Sequence, residues 1–281
     1  MTSHAVVTGA STGIGRAAVK VLSERGWRVF AGVRKPSDSD ASRQEFGDKV
    51  LPLLLDVTDA AAVRARLDGR TLSGLVNNAG MATGGPLALE SLDEIRRVFE
   101  VNVFAAVAVS QAFIPLLGAD RALTGAPGPI VNITSVAGKL APPFVGDYAM
   151  SKHALEAFTD CLRRELMIYG IDVIAIGPGS VLTPIWDKAE AADETIYAGT
   201  DYGNSLKAFK TLFIKEGRKG LPAERIGEAI HLALTTPKPK ARYAVVPNKF
   251  VNWTLPSLLP KRVVDRLIAK RLGLTRRSGA G

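Results

Sequence analysis

The chain predicts an α/β fold: one doubly wound parallel sheet with helices on both faces. Three observations over its 281 residues carry that prediction. Short apolar runs alternate with helical patterns, as in a parallel sheet built from strand–helix–strand units. The runs show no polar alternation, as expected of strands buried on both faces. No Pro/Gly/Ser-rich linker divides the sequence, so residues 1–281 read as a single domain with a real core.

The elements follow in order. Ala5–Val7 is a short strand, and a helix through Ala17, Ala18, Val21 and Leu22 stops at Gly26. Trp27–Val33, Val50–Leu55 and Leu72–Val76 read as strands. Between the last two, Asp59 is placed to cap a helix through Ala62, Val63 and Leu67. A long helix covers Leu92–Leu117, with a break expected near Asn102, because Asn is a poor helix-interior residue. Ile130–Thr134 is a buried strand, Tyr148–Tyr169 a helix and Ile171–Ile176 a strand. Residues 183–221 are long, mixed and weakly periodic. Their aromatics (Trp186, Tyr197, Tyr202, Phe209, Phe213) predict an ordered apolar covering. A helix (Pro222–Leu234), a strand (Arg242–Val246) and a basic amphipathic extension over about 250–281 close the chain.

Composition excludes several classes. With 47% hydrophobic residues the chain is too apolar to be disordered. Its longest apolar run, Val103–Leu117, holds Ser110 and Gln111 and is shorter than the ~18 residues of a membrane span. No basic-then-apolar leader pattern precedes Ala5, so a cytoplasmic protein is expected. The one cysteine, Cys161, fits a reducing compartment and reads as a small buried side chain. His4, His153 and His231 are far apart, so no metal site is expected.

The first strand runs into Thr8-Gly9-Ala10-Ser11-Thr12-Gly13-Ile14-Gly15. Three glycines at i, i+4 and i+6 let the backbone approach a pyrophosphate. The helix that begins there offers unpaired N–H groups and its positive dipole end. Chance supplies about 0.2 such patterns in a chain with 27 glycines, so the strand-before, helix-after context carries the reading. Tyr148 and Lys152 are spaced i, i+4 on one helix face. A nearby ammonium favours the phenolate and suits the phenol to acid/base work. Ser135 ends a buried strand, where open α/β sheets bind ligands. Asn77-Asn78-Ala79-Gly80 follows another strand.

Together these residues resemble the short-chain dehydrogenase/reductase family in order and spacing, from Thr8 to about Thr183. The resemblance implies a Rossmann-like fold and a catalytic tetrad of Asn102, Ser135, Tyr148 and Lys152. In it, Tyr148 exchanges a proton with the alcohol/carbonyl oxygen and Ser135 orients and polarises that oxygen. Lys152 lowers the Tyr148 pKa and holds the nicotinamide ribose, and Asn102 kinks its helix and holds a relay water. The hydride belongs to the cofactor. The implied cofactor residues are Gly9, Ser11, Thr12, Gly13, Ile14, Gly15, Arg34, Asp56, Asn78, Ala79, Gly80, Tyr148, Lys152, Pro178, Gly179 and Thr183, with Asp56 on the adenine.

The strand Trp27–Val33 ends in Arg34-Lys35 with no acid to bind a ribose 2′-OH. Arg34 can pair with a 2′-phosphate, and Ser11 can donate to it, so NADP(H) is preferred and NAD(H) admitted. The covering segment suits a small lipophilic substrate, with Trp186 beside Ser135 and Tyr148 as a substrate contact. The stretch Pro239–Tyr243 and the apolar residues after it resemble members acting on steroids and retinoids. By the same resemblance a homodimer is expected through the 102–117 and 148–169 helices, using Leu155, Phe158, Leu162 and Leu166.

The net charge is +9, and residues 261–277 supply +6 of it, from seven Lys/Arg against Asp265. There Val263, Val264, Leu267, Ile268 and Leu272 share one helical face. Such a helix can dock on the protein, its favoured reading, or lie on a membrane surface. No recognition motif accompanies the charge, so no nucleic-acid partner is expected. The opposing functional class is a catalytically silent NADP(H)-sensing protein of the same fold. A nucleotide-sugar epimerase is disfavoured by the glycine spacing.

Overall fold

In a computed structural model of the chain, which describes residues 2–54, 61, 64–65 and 67–275, seven parallel strands form the central sheet. They are β1 (His4–Val7), β2 (Arg28–Val33), β3 (Val50–Leu54), β4 (Gly74–Asn77), β5 (Ile130–Ile133), β6 (Val173–Pro178) and, last in the chain, β9 (Arg242–Val245). Their spatial order is β3-β2-β1-β4-β5-β6-β9. Two short strands, β7 (Val181–Leu182) and β8 (Leu221–Pro222), pair with each other at the two ends of the covering segment.

Strand pleating explains the apolar runs. Successive side chains point to opposite faces, and both faces are buried here. Ala5 and Val7 enter one core while Val6 enters the other. Val131 and Ile133 oppose Ile130, and Ile174 and Ile176 oppose Val173, in the same way. On the first face lie α1 (Gly13–Glu24) and α8 (Ala223–Thr235). They approach closely because Gly227 has no side chain; a Cβ there would stand 2.9 Å from the Ala17 carbonyl oxygen. The helix α1 stops where expected, with Gly26 at φ +84°.

On the second face lie α4 (Ala105–Phe113) and α5 (Gly146–Glu165), with α3 (Leu92–Phe99) packed against α5. The break expected at Asn102 is a π-helical turn over Glu100–Phe104 that joins α3 to α4. Leu162 and Leu166 are buried in this core and Phe158 packs against it, while Leu155 is buried elsewhere along the same helix. The expected use of those four side chains in a dimer interface is therefore corrected: they point into their own protomer. Cys161, expected to be buried, is exposed on the opposite side of α5.

The covering segment is helical, with α6 (Ile185–Ala191) and α7 (Gly203–Gly217). A helix the sequence pattern did not announce, α2 (Pro36–Phe46), follows β2; only the small residues Ser39 and Ser42 are buried in it. Beyond β9 come a π turn (Phe250–Thr254), α9 (Leu255–Leu258) and α10 (Lys261–Leu272). The tail helix docks on the protein. Leu272 is buried against Phe144 and Leu206, with Ile268, Tyr197, Tyr202 and Phe209 around them. Val263 and Leu267 remain exposed. The Asp59 cap with Ala62 and Val63 lies outside the described residues.

Candidate active site

The strand order reverses at β1, which pairs with β2 on one side and β4 on the other. A crevice opens at such a switch point beyond the carboxyl ends of the strands. Thr8–Gly15 leaves β1 there and Asn77–Gly80 leaves β4. Gly15 packs against the turn so tightly that a Cβ would lie 2.1 Å from the Gly9 carbonyl oxygen. Gly9 (φ +63°) and Gly13 (φ +56°) adopt the left-handed conformation that glycine permits.

The turn is braced from β4, by contacts that sequence reasoning did not foresee. The Asn78 and Ala79 backbone N–H groups donate to the Thr8 hydroxyl at 2.9 and 3.0 Å. The Asn78 amide donates to the Thr8 and Gly9 carbonyls at 2.9 and 3.1 Å. Thr12 caps α1 without a side-chain hydrogen bond, so no side chain competes for the helix's first N–H groups. Thr183 reaches over the loop, its methyl 3.3 Å from where a Gly13 Cβ would sit. Pro178 ends β6, with Gly179 packed under Val246. Ser11 and Ile14 are half-buried in the turn, and Arg34 is exposed just past β2. Among the described residues no acid pairs with Arg34. These features fit a dinucleotide: a close backbone turn, free helix N–H groups and a cation at the neighbouring strand end. Asp56 lies outside the described residues.

Tyr148 sits in the first turn of α5, with Lys152 one turn on. Ser135 follows β5 and begins a 3-10 turn, its hydroxyl accepting from the Ala137 N–H at 3.1 Å. The Ser135 side chain lies near enough to the Tyr148 phenol to influence its titration. Burial pushes the Tyr148 phenol above its ordinary value, and the Ser135 side chain opposes that rise. Lys152 Nζ stands 5.7 Å from the Tyr148 ring centroid and donates to the Ile133 carbonyl at 2.9 Å. Burial brings its pKa down to about 8.

Asn102, 1% exposed, spends its side chain on structure. It accepts from the Met81 N–H at 2.8 Å and donates to the Met81 carbonyl and the Ser151 hydroxyl, both at 2.9 Å. Gly80 passes so close that a Cβ would lie 3.3 Å from the Asn102 Oδ1 and 3.6 Å from Lys152 Nζ. The tetrad residues therefore converge with the glycine turn on one crevice.

Trp186 does not join them as a substrate contact. It is 7% exposed, its indole N–H donates to the Val181 carbonyl at 2.7 Å, and its ring fills the space left by Gly217. It anchors α6 to α7 inside the cover.

A carboxylate pair lies beside Tyr148. The single Thr83 hydroxyl contacts Glu90 Oε1 at 3.3 Å and also Asp147 Oδ2. One hydroxyl has one proton to donate, so Thr83 can donate to only one of the two carboxyls at a time. Burial and the Asp147 charge raise Glu90 to about 7. Nearby, Pro86, Leu87, Phe144, Met150, Tyr202 and Leu274 line an open, mostly apolar groove of about 700 Å³. Among the described residues there is no metal-binding cluster.

Comparison with known proteins matches residues 3–194 to the family described as short chain dehydrogenase. The chain is 38% identical over 276 residues to an NADPH-dependent 3-dehydrocapnine reductase of Ornithobacterium rhinotracheale, covering 96% of this chain and 97% of that protein. It is 32% identical over 285 residues to retinol dehydrogenase 5 of Mus musculus, covering 93% and 86%. A short-chain dehydrogenase structure from Streptomyces avermitilis superimposes with a TM-score of 0.73 at 26% identity, covering 99% of each chain.

Proposed function

The chain belongs to the short-chain dehydrogenase/reductase family and is an NAD(P)-dependent oxidoreductase; on that premise we propose that it interconverts a lipophilic ketone or aldehyde and its alcohol, using NADP(H), with Tyr148 as the proton carrier. One observation supports the reading: Tyr148 has Ser135 near its phenol and Lys152 Nζ 5.7 Å from its ring, while Gly80, on the loop that braces the glycine turn, passes close to Asn102 and Lys152.

The cofactor, when bound, supplies or removes the hydride. The chain's residues handle the oxygen and the proton. Ser135 holds the carbonyl oxygen by a hydrogen bond. Burial keeps the Tyr148 phenol protonated at neutral pH, ready to donate to that oxygen as it gains electrons. Lys152, one turn along α5 and with its pKa brought down by burial to about 8, would hold the nicotinamide ribose beside Tyr148. Asn102 fixes Met81 and Ser151, and Ser151 in turn donates to the Tyr148 carbonyl at 2.7 Å.

Gly9, Gly13, Ile14 and Gly15, with Ser11 and Thr12 at the start of α1, would hold the pyrophosphate side. Thr183, Pro178 and Gly179 would flank the nicotinamide side, with Asn78, Ala79 and Gly80 as the wall between. The exposed Arg34, unpaired among the described residues, supports NADP(H) over NAD(H), as does the NADPH dependence in the name of one relative. The aromatic cover and the apolar groove support a lipophilic substrate, as does the retinol in another relative's name.

The protein is proposed to work in the cytoplasm as a homodimer through the 102–117 and 148–169 helices. Outward Phe104, Ala108, Met150 and Ala157 would meet there in place of the leucines first expected. In α10, exposed Val263 and Leu267 among lysines and arginines would allow peripheral contact with an anionic membrane surface. No helix among the described residues is long and apolar enough to cross a membrane.

The test is NADPH and NADH oxidation by the purified protein against steroid ketones, retinal and short aldehydes, with Tyr148→Phe as control. Turnover of a lipophilic carbonyl is expected. The variant should lose it while binding NADPH within about threefold of wild type, since it removes only the transferable proton. Undiminished turnover by Tyr148→Phe would overturn the mechanism.

A further inference from the structure

Arg242 begins β9, yet its guanidinium does not point to solvent. Its Nε donates to both oxygens of Glu156, at 2.9 and 3.1 Å. Glu156 lies on α5 one turn beyond Lys152 and its side chain is 6% exposed, against 18% for Arg242. The Nη2 of Arg242 donates to the backbone carbonyl of Ser135 at 3.2 Å. The Trp253 ring stacks on the guanidinium at 4.3 Å. The path across the sheet exists because β6 carries Gly177 at that point; a Cβ there would lie 2.3 Å from Nη2. One planar cation thus joins the helix that carries Tyr148 to the loop that carries Ser135.

We propose that Arg242 is a positioning residue for the reaction: locked to Glu156, it holds the Ser135 carbonyl and so fixes the Ser135 hydroxyl against Tyr148. The inference rests on the reading of Ser135 and Tyr148 given above. A planar fork suits the task. The Nε–H engages the carboxylate while an Nη2–H reaches the carbonyl, a division that a single ammonium cannot reproduce from the same seat. The pair is largely shielded from water, which favours one placement of the Ser135 loop relative to α5.

The test compares Arg242→Lys, Arg242→Met and Gly177→Ala in the wild-type and the Ser135→Ala backgrounds. It reads kcat, KM, NADPH affinity and melting temperature. Arg242→Lys keeps a positive charge beside Glu156 and should recover most of the melting temperature that Arg242→Met loses. Both should lower kcat by roughly 10- to 100-fold, the scale of a small misplacement at a reacting group, with KM and NADPH affinity within about threefold. In the Ser135→Ala background neither should lower kcat further. Gly177→Ala should mimic Arg242→Lys. If Arg242→Met does not fold, Arg242→Lys and Gly177→Ala carry the comparison. Arg242→Lys restoring kcat together with stability would show a structural role only and overturn the inference. So would an equal kcat loss with and without Ser135. If Ser135→Ala alone leaves kcat unchanged, the site reading falls and the inference falls with it. If Ser135→Ala is crippled while Arg242→Lys is not, the inference alone falls.

Discussion

Removing the Asn102 side chain gives a direct measure of how the crevice is held. Asn102→Ala deletes three hydrogen bonds: from the Met81 N–H, to the Met81 carbonyl and to the Ser151 hydroxyl. The Met81 N–H and carbonyl lose these partners in a half-buried loop, at about 1 kcal/mol each. Ser151 keeps its bond to the Tyr148 carbonyl, so its loss is about 0.5 kcal/mol. The space left by a 1%-exposed amide adds a further fraction, for a total of about 3 kcal/mol. For 281 residues the unfolding entropy is about 0.6 kcal/mol/K, which converts that loss to a fall of about 5 °C in Tm. Calorimetry and urea unfolding of the apoprotein would read it. A loss below about 0.5 kcal/mol would refute the reasoning, since it would mean that water replaces the Asn102 contacts without cost.

Other perturbations test other parts. Gly15→Ala places a Cβ 2.1 Å from the Gly9 carbonyl oxygen, so NADPH binding, followed by fluorescence, should weaken at least about tenfold. Arg34→Asp should reverse the preference between NADPH and NADH, with kcat/KM for NADPH falling about tenfold or more; an unchanged ratio would remove Arg34 from the 2′-phosphate. Glu90, raised to about 7, keeps a proton that the unfolded chain releases above about 4.5, so the folded state binds more protons in between. Stability should therefore fall as pH rises through that window, and Glu90→Gln should flatten the slope in urea unfolding at pH 5 and 8.

The strands were legible because both sheet faces are buried. Ala5-Val6-Val7 and Ile130–Ile133 had to be apolar at every position or nearly so, and only the buried Asn132, bonded to Asn77 and Thr159, interrupts them. The glycine turn and the Tyr148–Lys152 spacing were legible because local geometry dictates residue type there. Asn102 betrayed the π turn by its poor fit to a helix. What stayed hidden depends on long-range polar contacts or on orientation. Thr8 with Asn78, Thr83 with Glu90 and Asp147, and Arg242 with Glu156 are ordinary residues until the fold joins them. The helix α2 has almost no apolar face, so no periodicity announced it. On α5, Cys161 and Leu162 are neighbours with opposite fates, and composition alone does not say which way the helix turns its broad apolar side. Trp186 was read as facing the substrate, but its one polar atom is committed to Val181.

The docking of α10 has a dynamic consequence. Leu272 and Ile268 share one cluster with Phe144, Leu206 and Phe209, so the tail and the cover cannot separate without exposing the same apolar surface. They form one cooperative unit, and anything that holds the cover shut protects the tail by linkage. Amide exchange in residues 261–272, remote in sequence from Tyr148, would then slow when a substrate occupies the crevice, so that a basic helix at the chain's end reports on events at its catalytic centre.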